Sequence, residues 1–207
     1  MEYLYVHRRP MDTLNFWIEK GYEHFGLFGP EKLSIKRIAE DNAVSRTTFH
    51  YYFKSQEEFI DELLRYHCDL HKVFCEYGKA NCKNYIPDLH EMIVHFSLGF
   101  KFHKQLFNHQ NIQKYREVFQ NCNKISGREF VVQMFINHYN LPLTFEDACS
   151  LHESLTETWY SRLDLENMEL SHLIRLTDEI MEPLLHLIKN IQIKTRKEII
   201  SLPLELI

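Results

Sequence analysis

The stretch from Leu33 to Phe59, LSIKRIAEDNAVSRTTFHYYFKSQEEF, restricts the fold more than any other part of the chain. Ser34 is placed to cap a short helix that turns Ile35, Ile38 and Ala39 inward. Asn42-Ala43-Val44 makes a tight turn, and Ser45 caps a second short helix whose inward residues are Val44, Phe49 and Phe53. Losing that cap should cost about 1 kcal/mol. Ser55-Gln56-Glu57-Glu58 is a capping box: the serine can accept from the Glu58 amide, and Glu58 can reach back to the Ser55 amide. The outward set of the second short helix is Ser45, Arg46, Thr47, Thr48, His50, Tyr51 and Tyr52, side chains able to touch phosphates and base edges. A helix braced by another across a turn is the unit that enters a DNA major groove. The bland alternative, a surface helix that only packs its neighbours, accounts for Phe49 and Phe53 but not for the exposed set around Arg46.

Breakers are scarce, with 6 Gly and 6 Pro in 207 residues, and they fall between long stretches of helical periodicity. The expected fold is all-α: an N-terminal helix-turn-helix head, residues 1–55, and a helical body, residues 56–207. Asp12 or Thr13 can cap a first helix with Leu14, Trp17, Ile18, Gly21, Tyr22 and Phe25 buried, ended by Gly26 and Gly29-Pro30. The helix opened by Ser55 should end at Gly78. Asp88-Leu89-His90-Glu91 is a second box, opening a helix to about Asn108. Residues 109–123 form another helix, and Ser126-Gly127-Arg128-Glu129 opens the next. Two long apolar helices, Thr144 to Ser161 and Leu170 to Ile193, complete the set.

Net charge is -5, so any affinity for nucleic acid must be local. Lys32, Lys36, Arg37, Arg46 and Lys54 modestly outnumber Glu31, Glu40 and Asp41, and His7, Arg8 and Arg9 add a basic cluster near the N-terminus. Met1 to Pro10 has no apolar core of signal-peptide length, and no apolar run is long enough to span a membrane. Five cysteines, an odd number with no framework spacing, point to reduced thiols in a cytoplasmic protein.

The succession Phe16-Trp17, Glu19-Lys20-Gly21-Tyr22, Leu33 to Glu40, Val44-Ser45-Arg46 and Phe49 to Glu58 resembles the tetracycline-repressor family of bacterial transcription regulators, over about the first 65 residues. The resemblance implies a three-helix DNA-binding head on a helical ligand-binding body, acting as a homodimer on a pseudo-palindromic operator and released by a small molecule. It places Ser34 and Lys36 near the phosphate backbone, Arg46, Thr47 and Thr48 toward the groove, and Tyr51, Tyr52 and Lys54 along the phosphates. Ala43 stands where the family's turn usually has Gly, so a left-handed backbone there would cost on the order of 1 kcal/mol. Thr47 replaces a common Gly, His50 a common Tyr and Gln56 a common Lys. These departures define the alternative reading, a helical adaptor of the same fold that binds a protein partner with weak or lost DNA binding.

Arg46 is the residue expected to contact a base, because a guanidinium pairs bidentately with guanine; a phosphate contact is its alternative. In the body, an aromatic run suggests a pocket for a small apolar or aromatic effector, lined by Phe96, Phe100, His103, Phe107, Tyr115, Phe119 and Trp159. The same stripe could simply be core. Cys68, Cys75 and Cys82 recur every seven residues, too far apart along one helix for a shared metal ion or a disulfide, and His71 with Cys75 makes only a weak ligand pair. No metal, no cofactor and no catalytic residue is expected: the thirteen histidines show no ligand spacing, and no phosphate loop, nucleophile elbow or zinc-protease helix occurs. Leu151, Leu155, Trp159, Leu173, Leu176, Ile180, Leu184, Leu187, Ile188 and Ile191 give the last two helices more apolar surface than one bundle face needs. Pairing with a second copy would make a four-helix dimer interface; closing the monomer core is the alternative. The apolar tail Ile199 to Ile207 can pack on the body or on a partner.

Overall fold

The computed structural model describes residues 13–200, with side chains as far as residue 190. His7, Arg8, Arg9, Asp12 and the side chains of Ile191 and of the Ile199 to Ile207 tail therefore lie outside the described residues. All regular structure among the described residues is helical. The head holds α1 (Thr13–Phe28), α2 (Ile35–Asp41) and α3 (Arg46–Tyr52), with a single 3-10 turn at Pro30–Lys32. The body holds α4 (Gln56–Asn81), α5 (Asp88–His95), α6 (Ser97–Asn108), α7 (Gln113–Ser126), α8 (Val132–Tyr139), α9 (Phe145–Arg162) and α10 (Leu170–Ile200).

Apolar spacing in α1 buries Phe16, Trp17, Ile18, Tyr22 and Phe25, and this face is shared. On one side it covers α2 and α3, with the Trp17 and Phe49 rings edge to face at 5.3 Å. On the other it lies along α6, where Phe102 stacks on both Tyr22 and Phe25 at 4.3 Å. Head and body thus share one continuous apolar core. The crossing of α1 and α4 depends on Gly21, since a Cβ there would stand 2.1 Å from the Phe59 ring.

Gly78 is also a packing residue and does not end α4. A Cβ at Gly78 would sit 2.5 Å from the Phe130 ring, and the helix runs on to Asn81. Two of the expected helix starts are used differently. Asp88 Oδ2 accepts from the Lys83 and Asn84 amides at 2.8 and 2.9 Å, so it closes the preceding loop, and Pro87 is the N-cap. The helix it begins breaks at Phe96, and α6 starts afresh there. Ser126 donates to the Cys122 carbonyl at 3.1 Å; α7 continues through one π turn, Gly127–Val131, into α8 without a new start. In both cases the motif is a local preference that tertiary packing overrides. The Thr144 cap behaves as its sequence suggests, accepting from the Asp147 amide at 3.1 Å.

Candidate nucleic-acid interface and the packed body

Both short head helices are closed at their starts by serine. Ser34 Oγ accepts from the Arg37 amide at 3.2 Å, and Ser45 Oγ from the Thr47 amide at 3.2 Å. Each replaces water on one of the orphan amides of a first turn. The turn between them carries strain, because Ala43 is held at φ 54°, in the left-handed region that disfavours a Cβ. It is fixed from both sides: the Val44 amide donates to the Ala39 carbonyl at 3.0 Å, and Asn42 Nδ2 to the Ile38 carbonyl at 2.9 Å.

α3 turns Phe49 into the core at 2% exposure and leaves Arg46, Thr47, His50 and Tyr51 outside, Tyr51 at 82%. Among the described residues no carboxylate pairs with Arg46. Lys36 is exposed but lies 3.8 Å from Glu40, and Arg37 lies 3.5 Å from Asp41 with its guanidinium 5.0 Å above the Phe28 ring. The free positive charge of the face is therefore carried by Arg46 and by Lys54, beyond the helix end. Tyr52 is half-buried, its ring at right angles to Tyr51 at 4.9 Å, and Ser34 is half-buried beside its cap.

Thr48 is the expected groove residue that the structure places inward. Its hydroxyl accepts from Trp17 Nε1 at 3.1 Å and donates to the Ser45 carbonyl at 2.7 Å. Thr48 thus hangs α3 on α1. Gln56, noted for departing from a family lysine, bridges to the Leu33 carbonyl at 3.1 Å and ties the start of α4 to the loop before α2. The Ser55 cap forms as expected, accepting from the Glu58 amide at 3.1 Å, but Glu58 reaches one residue further back, to the Lys54 amide at 2.8 Å. One group in the head is anomalous. His24 is 7% exposed with neither ring nitrogen hydrogen-bonded, and burial, then nearby Arg37, lower its pKa.

In the body the residues expected to line a pocket fall into two groups. Phe100, His103, Phe107, Phe119 and Trp159 meet around Tyr160, with centroids between 5.2 and 6.4 Å from its ring. Phe96 instead packs against Phe74 and Tyr77, and Tyr115 faces Phe25 at 5.9 Å. Phe119 and Tyr115 are 1% and 2% exposed. A groove of about 430 Å³ lies elsewhere, between Tyr139 and the Arg175 to Lys189 stretch of α10.

Sequence reasoning missed the polar chain threaded through this core. The Tyr22 hydroxyl lies 2.7 Å from His67 Nδ1, His67 Nε2 lies 2.9 Å from His103 Nδ1, and His103 Nε2 lies 3.2 Å from Asn123 Oδ1. One direction of donation satisfies the whole chain with both imidazoles neutral: Tyr22 to His67, His67 to His103, His103 to Asn123. Burial lowers the pKa of both histidines, that of His103 to about 3. The chain crosses α1, α4, α6 and α7, so it pins the helix nearest the head to the middle of the body. Lys104 is a second buried polar group: its Nζ donates to the Tyr160 carbonyl, putting positive charge at the C-terminal end of α9, where the helix dipole favours it.

Among the described residues no group of three His, Cys, Asp or Glu is arranged to hold a metal ion, and no helix is long and apolar enough to cross a membrane. Cys75 Sγ and His71 lie 3.8 Å apart, without a third ligand.

Residues 17–63 match the family described as bacterial regulatory proteins, tetR family. A crystal structure of a transcriptional regulator (TerR/AcrR family) from Aquifex aeolicus VF5 shares the fold at a TM-score of 0.52 and 21% identity, over 83% of this chain and 97% of that one. No curated protein matches the sequence.

Proposed function

We propose, from a head of the tetR family of bacterial regulatory proteins, that this chain is a DNA-binding transcriptional regulator. The observation that carries the proposal is α3: a serine-capped helix, locked onto α1 through Thr48, that keeps Arg46 exposed and, among the described residues, without a carboxylate partner. Arg46 and Thr47 face base edges, and Ser34, Lys36, Ser45, His50, Tyr51, Tyr52 and Lys54 position the helix on phosphates. Thr48 supports the helix from within.

The chain works as a homodimer through α9 and α10. Support comes from Leu151, Leu155, Leu184, Leu185 and Ile188, only half-buried in one copy, and from Leu187, 55% exposed. Two copies would set two α3 helices in successive major grooves, about 34 Å apart, over a pseudo-palindromic operator. The regulator represses and is released by a small apolar or aromatic ligand that opens the ring cluster around Tyr160. Such a ligand acts only through its unequal affinity for the two head spacings. No catalytic role is proposed.

The test is duplex selection from a random pool by the full-length protein, followed by a salt series on the selected site. Groove binding weakens steeply as released counterions become more concentrated. Failure to enrich any duplex would overturn the reading.

A further inference from the structure

Lys104 is the one lysine or arginine buried among the described residues, at 8% exposure on α6. Its Nζ donates to the Tyr160 carbonyl, lies 3.5 Å from the Ser161 carbonyl at the last turn of α9, and stands 4.9 Å from the centroid of the Phe107 ring. Among the described residues no carboxylate pairs with it. The C-terminal end of a helix offers about half an elementary charge, spread over several carbonyls, so the ammonium is hydrogen-bonded but not neutralised. Burial accordingly lowers its pKa. A buried charge without a counter-ion is costly, and a charge-assisted hydrogen bond to an anion offsets that cost.

The ammonium borders the ring cluster, since Phe107 and the Tyr160 carbonyl that it touches both belong to residues of that cluster. Phe119 and Tyr160 are 1% and 4% exposed, whereas Phe100, Phe107 and Trp159 are half-buried, so the cluster reaches the surface on their side. A planar molecule entering there meets aromatic faces and a single positive charge. The neighbouring His103 adds no charge: it is held neutral, with its nitrogens committed to His67 and Asn123. One buried positive charge matches one negative charge. A neutral aromatic would leave the ammonium unpaired, and a dianion would leave a surplus charge in the same apolar setting.

We propose that Lys104 is the anion-binding residue of the effector site and that the effector is an aromatic carboxylate; this rests on the reading of the ring cluster around Tyr160 as that site. The aromatic part lies among Phe100, Phe107 and Trp159, and the carboxylate accepts from Lys104 Nζ. In making that bond Nζ turns from the Tyr160 carbonyl and leaves the last turn of α9 without its cation. Because α9 is one of the two helices assigned to subunit pairing, the acid acts on the pairing as well as on the rings.

The full-length protein is titrated by calorimetry at neutral pH with naphthoate, with its neutral counterpart naphthamide, and with the dianion naphthyl phosphate. The acid is expected to bind about 10-fold or more tightly than either of the others. Lys104→Met should remove that advantage, weakening the acid to the level of the amide and leaving the amide unchanged, and Lys104→Arg should keep most of it. The proposal is overturned if acid and amide bind equally to the unaltered protein, if the phosphate binds more tightly than the acid, or if Lys104→Met retains the preference. Each of those results leaves the ring cluster standing as an effector site. Failure of all three compounds to bind overturns that site and this proposal together. Should Lys104→Met fail to fold, the preference for acid over amide in the unaltered protein and in Lys104→Arg decides the matter.

Discussion

In α2 and α3 the polar side chains other than Thr48 point outward and serines close the helix starts; in α4, α6 and α7 several polar side chains point inward and satisfy one another. Ser34 and Ser45 bind amides within their own helices, and the surface beyond them carries Arg46, Thr47, His50 and Tyr51. His67, His103 and Asn123 lie among Phe102, Phe119 and Tyr160 and find partners 20 to 45 residues away. The head is thus a short frame that presents chemistry to another molecule, and the body is a filled interior whose polar groups fix its own helices. Substitutions on the head surface should change binding with little change in stability, and substitutions in the shared core the reverse.

The largest expected effect is that of Phe102→Ala. Phe102 is 0% exposed and stacks on Tyr22, Phe25 and His67, so the change removes the ring that joins head to body. A loss of about 3–5 kcal/mol in urea unfolding is expected. A loss under about 1 kcal/mol would mean that the two regions do not share a core.

Acid should come next. His67 and His103 are held neutral, with pKa values depressed below that of an unfolded histidine. Above pH of about 6.5 neither state binds the proton and they contribute no pH dependence; below it the unfolded chain takes up protons that the folded chain refuses. Stability should fall by roughly 1.4 kcal/mol per pH unit for each histidine as pH drops below that value. His67→Gln with His103→Gln should flatten the slope in denaturant titrations between pH of about 7 and 5. An unchanged slope would place the acid sensitivity elsewhere.

Smaller effects belong to the frame. Ser45→Ala should cost about 1 kcal/mol through the lost cap. Ala43→Gly relieves the positive φ but loosens the unfolded chain, so a net gain below about 1 kcal/mol is expected by thermal unfolding. Destabilisation by glycine would show that the turn is not strained.

What the sequence made legible follows the same division. Serine caps are local chemistry, so Ser34, Ser45 and Ser55 could be read without knowing the fold, while Ala43 could be marked as a strained position only through the glycine usual at that place in the family it resembles. The same logic misread Asp88 and Ser126, because a capping motif cannot reveal that a loop or a continuous helix will claim the side chain. Thr48 faces inward because Trp17, 31 residues earlier, donates to it. Tyr22 counted as one more apolar residue of α1, and nothing in its neighbourhood indicated His67, 45 residues on. The aromatic run could be seen as a cluster, but only coordinates separate Phe96 and Tyr115 from the rings that meet at Tyr160.

The most direct test of the head's proposed role is fluorescence anisotropy of the selected duplex with the unaltered protein and with Arg46→Ala, across about 50 to 200 mM salt. Steep weakening with salt is expected, together with a further loss of about 5- to 150-fold and relaxed site preference in the variant, whose urea unfolding is unchanged. Equal affinity and equal preference in the two proteins would contradict the assignment of α3 as the reading helix.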